Sequence, residues 1–496
     1  MTMKKILLTV AAMTVCGMAT AQTAEDTVYV FKADQPDFLQ APCDTASADY
    51  ADDLIQWMWG KSQRNTPRGA QASYESRWTQ DATRHIMAEA LGLDTINDEK
   101  TPAMARLLWK IHNTGDQCTA KTKERYMRTR PFVQMGEGLW AQWDTDFLRT
   151  NGSYPSGHTG FGWAAALVFA EMWPELQDTI LRRGFQFGEN RVITGAHYQS
   201  DVTAGYMCAA ASVARAHTNP ELEKDILAAR AEYAQLKGLS IDYDPATKAG
   251  VPLGEKILND PVDTASYRYI SDITHYWNRK PLRDTPRGKR AAVEAEYSTA
   301  MVAKVFGEAM DIKITQEQTP AIWALLDTVL KKSSETVDRL KEIRFRKRPF
   351  VQLNEPSFVP GDEEKERGKS SFPSGHTSLG WSEALVMAEV APEKQDTILR
   401  RGYEYGENRM IVGYHWFTDI EATRQLASAF IANMHAGEGF REMIRRAREE
   451  YLQQPSKVQA VRSQDSTTGR TYSLSGAQVP ETTRGIVIRD GHKMVR

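Results

Sequence analysis

The stretch SYPSGHTGFGW occupies residues 153–163, and SFPSGHTSLGW occupies residues 371–381. Each begins with small polar residues and a proline and passes straight into an apolar run. The first continues as GFGWAAALVFAEMWPE, whose length, composition and proline stop predict a helix. The chain has ten histidines, and two of them, His158 and His376, stand at the same place at the head of such a helix. A motif written twice asks what else is written twice.

The answer is a whole domain. QDTILRRG occurs at 177–184 and again, unchanged, at 395–402, an interval of 218 residues. The same interval relates Lys123 to Lys341, Arg130 to Arg348, His158 to His376, Arg191 to Arg409, His197 to His415 and Asp201 to Asp419. TPRG at 66–69 matches TPRG at 285–288, one residue further on. A period this long is far beyond a solenoid repeat. It places one copy at 22–245 and a second at 246–455, joined by a Pro-, Gly- and Asp-rich stretch, DYDPATKAGVPLGEKILNDPVD. Alternating strand patterns are scarce and small apolar residues recur at helical spacing, as in DVTAGYMCAAASVARAH. Each copy is therefore expected to be an all-α helical bundle.

The totals fit two globular domains. The 496 residues are 41% hydrophobic and 25% charged, with a formal charge of −2. No basic excess is available to bind a nucleic-acid polymer. Lys4 and Lys5 before an apolar run, with ATA at 19–21, read as a signal peptide over residues 1–21. Beyond it no run is long enough to span a membrane, so no membrane span is expected in the mature protein. Cys43, Cys118 and Cys208 remain after cleavage, which allows one disulfide and leaves its pairing open. From about residue 456 the chain turns polar, and TYSLSGAQVPETTRGIVIRDGHKMVR suggests a short C-terminal β-hairpin.

Each copy assembles one chemical inventory: a lysine and two arginines, a Ser-Gly turn before a helix, two histidines and an aspartate. Arginines grip oxyanion oxygens through paired planar donors, and lysine adds a compact charge. A Ser-Gly turn offers a hydroxyl and backbone N–H groups at a positive helix end. His197 and Asp201 are four apart, so on a helix they would share a face, with the carboxylate steering one ring nitrogen. The other nitrogen is then free to attack phosphorus while His158 protonates the departing alkoxide. Three cations would repel a metal from His158, His197 and Asp201, so no metal and no cofactor are expected.

The pattern K-x6-RP, PSGH and R-x5-H-x3-D resembles that of the type 2 phosphatidic-acid phosphatase superfamily. TPRG, RPF, NGSYPSGHT and GAHYQSDV in the first copy, and RDTPRGKRAA, FPSGHTSLGW and GYHWFTD in the second, look like the bacterial class A nonspecific acid phosphatases. The resemblance implies an all-α fold of the acid phosphatase and vanadium haloperoxidase type. It also implies hydrolysis of small phosphate monoesters through a histidine nucleophile. Carried across, the catalytic residues are His197, His158 and Asp201 in the first copy and His415, His376 and Asp419 in the second. The phosphate-binding residues are Lys123, Arg130, Ser156, Gly157 and Arg191, and Lys341, Arg348, Ser374, Gly375 and Arg409. Neither copy has lost one, so two working sites are expected. The alternative is a vanadium-dependent haloperoxidase, because vanadate mimics phosphate in shape and charge.

Some positions depart from the pattern. Asn190 and Asn408 stand where the family usually has serine, and Ala196 precedes the first nucleophile where Tyr414 precedes the second. GEGLWAQWDTDFLRTNG before the first PSGH gives way to NEPSFVPGDEEKERGKS, whose acidic residues predict a site less tolerant of highly charged substrates. His217 and His435 also keep the 218-residue interval and read as structural, meeting the last carbonyls of a helix. The export signal implies a periplasmic protein, with the outer-membrane surface or the medium as further destinations. The two copies are expected to pack as an intramolecular pseudo-dimer.

Overall fold

The computed structural model describes residues 27–77, 80–141, 145–239, 253–254, 257–454 and four short strands near the C-terminus. The expected signal peptide, most of the join and the polar stretch after 454 lie outside the described residues. The first copy runs α1 (Tyr50–Gln63), α2 (Pro67–Glu75), α3 (Gln80–Ala90), α4 (Pro102–Gln117), α5 (Ala120–Tyr126), α6 (Pro131–Gln134), α7 (Thr145–Thr150), α8 (Gly157–Met172), α9 (Gln177–Ile193), α10 (Gln199–His217) and α11 (Pro220–Lys237). The second runs α12 (Tyr269–Arg279), α13 (Pro286–Val293), α14 (Thr299–Met310), α15 (Pro320–Ile343), α16 (Pro349–Gln352), α17 (Glu363–Glu366), α18 (Gly375–Val390), α19 (Gln395–Ile411), α20 (Phe417–His435) and α21 (Glu438–Leu452). The all-α reading of both copies holds, and α8 to α10 recur as α18 to α20 at the interval read from the sequence.

The helix that opens on Pro-Ser-Gly-His is the centre of each copy. Every residue of α8 is buried, because α4, α9 and α10 pack around it together with α20 of the other copy. That explains why its sequence is apolar on all sides. Thr66 and Thr285 cap α2 and α13 by accepting the N–H groups of Gly69 and Gly288, with proline at the first turn of each. TPRG is therefore a helix start. The copies differ where α4 and α5, broken after Gln117, become the continuous α15.

The two copies meet along equivalent helices. α8 packs on α20 and α10 on α18, and one apolar core runs through both copies. Residues related by the repeat interval touch each other. Thr203 Oγ1 donates to Glu421 Oε1 at 2.8 Å, and the rings of His217 and His435 stack with centroids 4.0 Å apart. These histidines end α10 and α20, but their rings meet carboxylates rather than helix carbonyls: Glu171 lies 3.2 Å from His217, and Glu389 lies 2.9 Å from His435.

The C-terminal segment holds more strand than the expected hairpin. β1 (Thr471–Ser473), β2 (Gln478–Val479), β3 (Ile486–Arg489) and β4 (His492–Val495) form an antiparallel sheet in the order β2-β1-β3-β4. Cys43, Cys118 and Cys208 are all free thiols. Among the described residues no helix is long and apolar enough to cross a membrane.

Candidate active site

In the first copy the chain turns four times to bring its cations together. Lys123 lies on α5, which stops at the left-handed Met127. Pro131 at the first turn of α6 holds Arg130 in extended backbone, as a residue before proline prefers. Ser156 caps α8 by accepting the Thr159 N–H, leaving Gly157 and His158 at the helix mouth. Arg191 sits in the last turn of α9, and the chain then reverses through Gly195, at φ +78°. Side chains strain at that φ, which is why a glycine precedes the histidine in both copies. The reversal lays Ala196 and His197 back over Arg191, whose carbonyl accepts both their N–H groups.

Lys123, Arg130, Gly157, His158, Arg191 and His197 line one cavity of about 210 Å³. Arg130 Nη1 lies 2.9 Å from His197 Nε2. His158 Nε2 and Arg191 Nη1 share the carbonyl oxygen of Ser76, at 3.1 and 3.3 Å. No protein acceptor among the described residues reaches Arg191 Nε. The second copy repeats the arrangement: Arg348 Nη1 lies 3.1 Å from His415 Nε2, and His376 Nε2 lies 2.9 Å from the Ala295 carbonyl. Arg409 leaves both Nε and Nη1 without a protein partner there.

The cations are crowded and largely cut off from solvent. Burial, helped by Arg130, pulls Lys123 down to about 7, and burial with Arg348 pulls Lys341 down to about 8. Burial and Arg130 lower Arg191 to about 9. All four histidines are pushed well below their usual range, first by burial and then by the nearest arginine: Arg130 for His197, Arg191 for His158, Arg348 for His415 and Arg409 for His376. A pocket so arranged favours an anion. A dianionic phosphoryl group would relieve the cations and raise the histidines together.

The aspartates act at one remove. His197 and His415 precede their helices rather than riding on them, and Nδ1 is 3.6 Å from Asp201 and 3.9 Å from Asp419, ion-pair rather than hydrogen-bond distances. Asp201 stands at the third position of α10 and accepts the Tyr198 N–H at 2.8 Å, as Asp419 accepts that of Trp416 at 3.0 Å. In the second copy His415 Nδ1 donates to the Ser371 carbonyl at 2.7 Å, which fixes the tautomer and leaves Nε2 with the lone pair.

Other residues of the site escaped the sequence reading. Arg128 Nη1 donates to Asp201 at 2.6 Å and its Nη2 to the buried Asp53 at 2.7 Å. Arg346 joins Asp419 to Asp272 in the same way. Ser153 and Ser371 donate to the aspartates' other oxygens. Asn190 and Asn408 bridge Arg68 to Glu75 and Arg287 to Glu294, work that a serine is too short to do. These pairs tie the TPRG helices to the helices that carry Arg191 and Arg409.

Fold, site and relatives together make this chain a phosphoric monoester hydrolase. The profile of the PAP2 superfamily matches residues 111–222 and 322–439. The chain is 42% identical over 200 residues to a non-specific acid phosphatase of Providencia stuartii, a match covering 40% of this chain and 80% of that protein. It is 34% identical over 189 residues to a non-specific acid phosphatase of Salmonella typhimurium, covering 38% and 75%. It is 33% identical over 193 residues to an acid phosphatase of Zymomonas mobilis, covering 39% and 73%. The chain belongs to the PAP2 superfamily, in two tandem copies. These relatives do not favour the haloperoxidase alternative.

Proposed function

We propose that this chain is an exported acid phosphatase that hydrolyses small phosphate monoesters without metal, through a phosphohistidine, at two sites. The observation that carries the reading is the arginine lying on the nucleophile's Nε2 in both copies, 2.9 Å in one and 3.1 Å in the other. An arriving phosphoryl group takes that arginine's donors. It thereby frees the lone pair and sets phosphorus in front of it. Lys123, Arg130 and Arg191 hold the equatorial oxygens and neutralise the charge that builds in transfer. His197 Nε2 forms the bond to phosphorus as the ester oxygen leaves. The dianion raises His158, which passes its proton to that oxygen. Water then attacks the phosphohistidine, His158 takes a proton from it, and phosphate departs. Lys341, Arg348, Arg409, His415 and His376 repeat these roles.

The two copies form a pseudo-dimer on this reading, supported by the contacts between equivalent residues, Thr203 with Glu421 and His217 with His435. Export to the periplasm rests on the segment 1–21. Quenching turnover of a labelled monoester into alkaline denaturant, in which a phosphorus–nitrogen bond survives, should leave phosphate on histidine. His197→Asn and His415→Asn should each remove part of that label and the double variant all of it, with chelator making no difference. Label that survives the double variant would overturn the assignment.

A further inference from the structure

Arg130 and Arg348 are equivalent, yet different groups occupy them. Arg130 donates from Nε to the backbone carbonyl of Asn151 and from Nη2 to its amide oxygen, each at 3.0 Å. In the second copy Arg348 meets Glu366 instead, Nε on its carbonyl at 3.2 Å and Nη2 on its carboxylate at 2.7 Å. Glu366 is not the counterpart of Asn151 in the repeat; Lys369 is, and it binds the other carboxylate oxygen at 2.8 Å. The loop has been rewritten, and the short helix α17 delivers an anion where the first copy has a neutral amide.

The difference falls on the donors that substrate needs. An amide oxygen accepts from a guanidinium without cancelling its charge. A carboxylate instead neutralises the guanidinium in an ion pair, and repels any second anion nearby. Arg348 is almost fully buried and the Glu366 side chain is 20% exposed, so water screens the competition only in part. The neighbouring residues change in step. The Tyr414 ring lies 5.7 Å from the Arg348 guanidinium and 5.1 Å from that of Arg409, where the first copy has Ala196.

We propose that Glu366 is a specificity-determining residue of the second site, a resident carboxylate that competes with substrate for Arg348 and rejects phosphate esters bearing further negative charge. The first site, with Asn151, accepts such esters; the second prefers a single phosphate on an otherwise neutral alcohol. The proposal rests on the phosphatase reading of both sites.

The full-length chain tests it. His415→Asn isolates the first site and His197→Asn the second; each is assayed on a sugar monophosphate and a sugar bisphosphate, with inorganic phosphate as competitor. The second site should show a bisphosphate-to-monophosphate KM ratio about 5-fold or more above that of the first. Adding Glu366→Gln to His197→Asn should bring that ratio close to the first site's and tighten inhibition by inorganic phosphate about 3- to 10-fold, with the gain in KM rather than kcat. Asn151→Asp in the His415→Asn background should do the reverse, and it leaves the second copy untouched. An unchanged ratio and unchanged phosphate inhibition in Glu366→Gln, or weaker binding as expected of a structural strut, would overturn the proposal alone. A His197→Asn protein with no turnover at all would remove the second site as an enzyme and this proposal with it.

Discussion

Arg128 bridges Asp201 and Asp53, 2.6 Å from one carboxylate and 2.7 Å from the other, with all three side chains buried. Burial alone would raise the Asp201 carboxyl, but Arg128, His197 and Ser153, with Arg128 the largest of the three, together outweigh it and hold the group well below the usual range. The arginine therefore keeps anionic the group that faces His197. Arg128→Ala leaves two buried carboxylates facing each other. The expected loss is about 3–5 kcal/mol of stability, read as a lowered Tm. Turnover of the first site, measured in a His415→Asn background, should fall on the order of 10- to 100-fold, as when an outer partner of a functional histidine is removed. Arg128→Lys keeps the charge but cannot reach both carboxylates in the same fork, so it should fall between the two. Full activity in Arg128→Ala would show that the backbone N–H of Tyr198 and the Ser153 hydroxyl position Asp201 unaided.

The two lysines predict different pH profiles. A lysine must be protonated to hold a phosphate oxygen, and burial brings Lys123 to about 7 and Lys341 to about 8. Each is charged below its value and neutral above it, so phosphate binding weakens as pH rises through that value. Because kcat/KM reports groups of the free enzyme, its alkaline limb should fall near pH 7 for the first site alone, in His415→Asn. In His197→Asn it should fall about one unit higher. Coincident limbs would show that another group sets them.

Much of this was legible before any coordinates. The repeat interval, the all-α class and the cations that line the first cavity follow from motifs whose spacing is short and whose chemistry is specific. Arg128 and Arg346 were legible in principle, since RTRP and RKRP keep the interval, but an arginine two residues from a better-known one reads as a solvated charge. Asp53 and Asp272 carry no local motif at all. They matter only because α1 and α12 fold back onto α10 and α20, a long-range fact that no window of sequence contains. The histidine and aspartate of R-x5-H-x3-D looked like two residues on one helix face. The left-handed glycine before each histidine instead delays the helix, and the aspartate becomes its cap.

His217 carries a pH-dependent share of the packing between the copies. Burial would lower its pKa, but the Glu171 carboxylate prevails and raises it to about 9. Glu389, Arg230 and Arg441 also face this cluster. The folded value lies above the about 6.5 of an unfolded histidine. Its contribution is therefore complete below pH 6.5 and lost as pH rises through 9. A raised pKa of this size corresponds to on the order of 3 kcal/mol. His217→Asn should lower Tm clearly at pH 6 and by much less at pH 9.5. An equal loss at both would mean that only the stacking on His435 was removed.

The approach of α4 to α8 is built differently in the two copies, and this predicts an asymmetric response to substitution. A methyl group at Gly160 would sit 2.6 Å from the Gly115 carbonyl oxygen, and one at Gly115 would sit 2.7 Å from the Phe161 Cα. The counterparts are Ser333 and Ser378, whose hydroxyls pair at 2.8 Å where α15 crosses α18. Both atoms met in the first copy belong to backbone, so the helices themselves must part. Gly160→Ala should cost about 1–3 kcal/mol as overpacking. It should also slow the first site, because Gly160 stands two residues after His158 and moves with it. Ser333→Gly should cost about 1–3 kcal/mol for a different reason, the buried Ser378 hydroxyl left without its partner. Replacing both serines by glycine should recover part of that loss, whereas alanine at both Gly115 and Gly160 should be worse than either alone. Thermal melts of these variants, with kcat measured for each isolated site, separate a steric limit in one copy from a hydrogen bond in the other.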